Sequence, residues 1–136
     1  MNRNPDWAKQ LPDKIKDYMN KPFQWGTADC CVFICDCVIA TTGIDPMEQH
    51  RGRYKTAIGA AKAQKNYGSI EESLDRYFDR IMPKMVQRGD VCTHKLEDGT
   101  ISVAVFWAGG WWCMTDEGCR KVSLEPIYTW KVENGK

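Results

Sequence analysis

The hydrophobic pattern of the chain changes period part-way along. Through the first 81 residues, apolar positions recur every three or four places, as in Trp7, Leu11, Ile15, Tyr18 and Met19, or Ile70, Leu74, Tyr77, Phe78 and Ile81. That is the spacing of amphipathic helices. Beyond Pro83 the apolar residues fall into short runs separated by Gly, Pro or Asp, which is the texture of strands and turns.

Local signals divide the first part into four helices. Asn4-Pro5 reads as a cap followed by proline in the first turn, and Pro12 predicts a kink or restart inside that helix. A second helix opens at Asp29 and closes before Gly43. A third runs roughly from Tyr54 to Tyr67 and is closed by Gly68. Ser69 followed by Glu72 is a capping box that starts the fourth. In the second part, "GDVCTHKL" and "TISVAVFW" flank Glu97-Asp98-Gly99, a hairpin signal, and "WWCMT", "CRKVSL" and "IYTWKV" follow. A three-residue loop would set His94 opposite Ser102; a two-residue loop would set it opposite Val103. Helices first and strands second predict one α+β domain over residues 1–136. The helices would pack on an antiparallel β-meander of about five strands.

Charge narrows the partners. Nineteen basic residues against eighteen acidic ones leave a formal charge of +1, so nothing calls for a polyanion, and nucleic acid is not an expected partner. No run reaches the roughly 18 apolar residues of a spanning helix, and the N-terminus has no signal-peptide core. Seven cysteines, four of them between Cys30 and Cys37, make a poor disulfide framework. The expected folding compartment is the reducing bacterial cytoplasm.

The cysteine-rich helix has three readings. Its residues are apolar nearly all round, with Val32, Phe33, Ile34, Val38 and Ile39 between the thiols, as in a buried central helix. On that reading Cys31, Cys35 and Cys37 are small core residues. Metal ligation needs convergent thiolates, and the spacings match no familiar zinc or iron–sulfur pattern; no metal or cofactor is expected. Cys30 differs because it follows the candidate cap Asp29. A thiol in the first turn is favoured as thiolate by the positive end of the helix dipole, and free N–H groups there suit an oxyanion.

Pro22-Phe23-Gln24-Trp25-Gly26, then Asp29-Cys30, resembles the P-Y-x-W-G…D-C signature of NlpC-like cell-wall cysteine peptidases, which have a papain-like fold. Gly89-Asp90-Val91 resembles their G-D-[LV] strand, and the likeness spans about residues 20–130. The stretches "WGTADC", "TGIDP" and "RGRY" are most similar to a small branch encoded in tail gene clusters of phages and prophages. The resemblance implies Cys30 as nucleophile, with Phe23, Trp25 and Asp29 around it. It places the family's base at Ser102, its orienting residue near Met114 or Thr115, and its oxyanion tyrosine at Phe23. General-base help is worth about 10²–10⁴-fold, which a helix dipole of about 1–2 kcal/mol does not replace.

The implied protein is therefore a tail-tip or tail-assembly subunit with a degenerate peptidase fold, partnered by other tail proteins and located in the virion tail. A second reading is an active hydrolase that uses Cys30, with His94 as a displaced base, on peptidoglycan. A third is a metal-holding tail subunit. Trp111 and Trp112 are candidate interface residues, since neighbours in a strand face opposite ways. His50 reads as a surface histidine, and Arg51–Lys55 as a solvated basic loop or a docking contact with an acidic neighbour.

Overall fold

A computed structural model describes residues 2–135. The helices are α1 (Trp7–Met19), α2 (Cys30–Thr42), α3 (Ala57–Tyr67) and α4 (Ile70–Tyr77). The strands are β1 (Asp79–Ile81), β2 (Val91–Lys95), β3 (Ile101–Trp107), β4 (Gly110–Thr115), β5 (Gly118–Val122) and β6 (Pro126–Lys131). The class is α+β, and all strand pairs are antiparallel.

The helix limits follow from local chemistry. Asp29 caps α2 by accepting the Val32 N–H at 2.9 Å, and Gly43 ends it at φ +81°. Ser69 accepts the Glu72 N–H at 3.1 Å, as a capping box requires. α3 starts later than expected, because Thr56 caps it through the Gly59 N–H. Two expectations fail at the edges. Asn4 does not cap α1; its amide donates to the carbonyls of Ile39 and Ala40, tying the N-terminus to the end of α2. Ile81 belongs to β1, not α4. α1 continues through Pro12, whose missing N–H would have met the carbonyl of Ala8, an exposed residue.

The sheet has six strands, one more than expected, in the order β1-β6-β2-β3-β4-β5. The meander holds only from β2 to β5; β6 then returns to lie beside β2. Only residues 123–125 join β5 to β6. Four strand spacings of a flat sheet are about 19 Å, whereas four Cα steps reach at most about 14 Å. The sheet must therefore curl. Inside the curl lie Cys92, Ala104, Trp111 and Cys113, with Leu124 of the short link packed on them.

The other face carries the main core, where Leu11, Ile15 and Tyr18 of α1 and Phe33, Ile34, Cys37 and Val38 of α2 meet Val91, Val103, Val105 and Trp130. Each large apolar side chain buried this way contributes about 1.5–3 kcal/mol. On its far side α2 presents Val32 and Cys35 to Met47, Tyr54 and Ala63. This double coverage is why the helix is apolar around its whole circumference. Asp90 of the Gly-Asp-Val stretch acts as a clasp. Its carboxylate accepts from the N–H groups of Gln87 and Val132 and pairs with Arg3 at 3.0 Å. No helix among the described residues is long and apolar enough to cross a membrane.

Candidate functional site

β3 and β4 pair only where Val105–Trp107 face Gly110–Trp112. Beyond Val105 the two strands part, so residues 101–104 and 113–115 form a fork. The N-terminus of α2 enters this fork. A cavity of about 870 Å³ opens there, with Cys30, Ser102 and Met114 in its lining.

The approach to Cys30 is shaped by the Trp25-Gly26 turn. Gly26 has φ +85°, and a Cβ at that position would stand 2.2 Å from the Tyr54 carbonyl oxygen, so only glycine fits. Asp29 is 1% exposed and fully engaged. Besides the Val32 N–H, its carboxylate accepts from the Gly26 N–H at 2.8 Å and the Tyr54 hydroxyl at 2.6 Å. One side chain thereby sets the helix start, the turn before it and the loop across the cavity. Phe23 and Trp25 pack edge to face, with centroids 5.0 Å apart, on the cavity wall.

Three groups donate toward the Cys30 sulfur: the Cys31 thiol, the Ser102 hydroxyl and the Val103 backbone N–H, which the missing β4 pairing leaves available. The Cys31 hydrogen bond is the largest influence. Together these donors hold the Cys30 thiol below its ordinary pKa, against the opposing effects of burial and the Asp29 charge. Cys31 keeps its proton to make that bond, and its pKa lies well above the usual thiol range. Burial likewise raises the thiols of Cys35, Cys37, Cys92, Cys113 and Cys119. All seven cysteines are free. Among the described residues, no group of three or more His, Cys, Asp or Glu side chains is placed to hold a metal ion.

The hairpin adopts the three-residue-loop register, with Lys95 opposite Ile101 and His94 opposite Ser102. His94 therefore neighbours the Ser102 that touches Cys30. Its ring is buried, does not line the cavity, and leaves Nε2 without a partner among the described residues; burial lowers its pKa. Trp111 is buried inside the curl, edge to face with Phe106, and Trp112 is half-buried with its indole N–H donated to the Trp107 carbonyl. The exposed aromatic at the site is Trp25, 37% accessible.

Three sequence readings are corrected. His50 is 7% exposed and lines the cavity, as does Ser73 of α4, which no local motif singles out. The "RGRYK" loop is not merely solvated. Arg51 pairs with Asp36 at 2.8 Å and Asp45 at 2.6 Å, pinning the His50 loop to α2. Cys31 also departs from the core reading, since it is only half-buried and shares the cavity wall.

The chain belongs to the DUF6950 family. The family, a domain of unknown function, matches residues 2–132, nearly the whole chain. No curated protein and no solved structure matches it. The DUF6950 match covers the fork, the hairpin and the His50 loop together, so the cavity is built wholly within the family's own domain.

Proposed function

We propose that this DUF6950 domain is a structural or assembly subunit of a phage or prophage tail, built on a degenerate NlpC-like cysteine-peptidase fold, whose cavity binds peptide chain without cleaving it. The observation that carries this reading is the set of groups on the Cys30 sulfur: a thiol, a hydroxyl and a backbone N–H, none of them a base. These donors polarise the sulfur but take no proton from it, and an acyl-enzyme cycle needs a group that accepts and returns a proton. Ser102 stands at the position where the resemblance places the base. The tail setting rests on the same resemblance.

The test is digestion of purified peptidoglycan by the wild-type chain and by Cys30→Ala, with tail assembly scored in parallel. Equal and negligible peptide release, with assembly supported by both, is expected. Release by the wild type that disappears in Cys30→Ala would overturn the proposal in favour of a cysteine hydrolase. That second reading draws on the lowered Cys30 pKa and on His94 standing opposite Ser102.

A further inference from the structure

Charge is spread unevenly over the molecule. Residues 49–69, from the loop before α3 to the turn after it, hold five of the nineteen basic residues and none of the eighteen acidic ones. Arg51 is neutralised by Asp36 and Asp45. Arg53, Lys55, Lys62 and Lys65 are exposed, and none has an ion-pair partner among the described residues. Ile58, Lys62 and Lys65 are spaced four and three apart, so they share one face of α3. That face lies roughly 100° round the helix from the Ala57, Ala60, Ala61 and Gln64 side, which lines the cavity. Ile58 is 72% accessible among these cations. Beside it, Arg53 and Lys62 border a cleft of about 400 Å³, room for a carboxylate side chain.

The open end of the fork carries the opposite charge. Glu97 and Asp98 stand at the tip of the β2–β3 hairpin, and Asp116 and Glu117 in the turn between β4 and β5; all four are exposed. None is in an ion pair among the described residues. Lys95 is the one basic residue in either turn and its flanks, 95–101 and 115–119. Leu96 and Ile101, each 43% accessible, flank the hairpin tip.

We propose that these two faces bind each other between copies of this chain, the α3 face of one molecule on the fork tips of the next. Each is built as half an interface, an exposed aliphatic centre with a charged rim, and the rims have opposite signs. In this arrangement Ile58 seats against Leu96 and Ile101, and the cations of α3 meet the carboxylates of the tips. Like faces repel, so the contact is head-to-tail rather than two-fold. Such a contact leaves one face of each kind unused and propagates past the dimer, into a ring or a filament. Nucleic acid and anionic membranes fit less well, because with the five basic residues of 49–69 set aside, eighteen acidic residues face fourteen basic ones. The assembly is independent of whether Cys30 turns over a substrate.

The test is sedimentation velocity of the full chain over a concentration series. Wild type is expected to form species larger than a dimer at about 50 mM salt. Association should weaken about tenfold at about 500 mM, where screening reaches only a few ångströms. Two charge-reversed proteins are compared, one with Lys62→Glu and Lys65→Glu, the other with Glu97→Lys and Glu117→Lys. All four positions are exposed, and circular dichroism checks that both proteins keep the fold. Each alone should sediment as a monomer, and an equimolar mixture should associate again. A control with Lys16→Glu and Lys84→Glu makes the same charge change on other exposed positions and should associate like wild type. A wild type that is monomeric throughout, or that stops at a dimer, overturns the proposal. So does association that neither reversal weakens, that the control loses equally, or that the mixture fails to recover. Binding of polyglutamate or anionic phospholipid vesicles by a monomeric wild type, lost in the Lys62 and Lys65 variant, would instead give the α3 face to another acidic protein or to a membrane.

Discussion

His94 and Ser102 stand directly opposite each other across the β2–β3 ladder, and the Ser102 hydroxyl in turn hydrogen-bonds the Cys30 sulfur. A histidine is thus one residue removed from the thiol, with a hydroxyl between. Since that hydroxyl favours the thiolate, Ser102→Ala is expected to shift the pH profile of Cys30 alkylation by iodoacetamide to higher pH. In the wild type the Cys30 inflection should fall below that of an ordinary thiol, and the Cys31 inflection above it. An unmoved profile in Ser102→Ala would remove Ser102 from the account of the site.

The buried His94 ring makes stability depend on pH. Burial lowers its pKa from the ordinary 6.5, so the unfolded chain takes up a proton that the folded chain resists. Stability then rises with pH across this window. It is complete above about 6.5 and erodes as pH falls from there toward the folded value. Urea unfolding at about pH 7.5 and 5.5 should show a loss in the wild type that His94→Gln diminishes. Identical losses in the two proteins would contradict it.

Thr93 is fully buried, and its hydroxyl has no partner among the described residues. Most core substitutions destabilise, but Thr93→Val keeps the shape and removes the unpaired group. A gain of about 1 kcal/mol is expected, seen as a rise of a few degrees in Tm. A loss of similar size would mean that the hydroxyl has a partner such as an internal water.

Asp29 joins the cap of α2, the Gly26 turn and Tyr54. Asp29→Ala should cost about 3–4 kcal/mol, combining a lost N-cap with lost hydrogen bonds to a buried carboxylate. Tyr54→Phe should cost about 1–2 kcal/mol. Chemical denaturation measures both, and a near-neutral Asp29→Ala would show that the turn and loop hold themselves.

What the sequence alone determined is what short-range chemistry decides. Asp29 and Gly43 mark the ends of α2, because a cap and a left-handed stop need only neighbours in the chain. Cys30 in the first turn follows from the same cap. The hairpin was legible except for its register, which hung on whether the loop held two or three residues.

Only the tertiary structure decided the rest. The return of β6 beside β2, and the curl it imposes, depend on pairing across dozens of residues. The fork between β3 and β4 comes from strands that stop pairing, which alternation does not signal. His50 looked like a surface residue because its surroundings in sequence are charged. It is buried because Arg51 finds Asp36 and Asp45, and because α3 and α4 close over the cavity. Burial of a polar group is set by which distant elements cover it, and a local pattern does not contain that information.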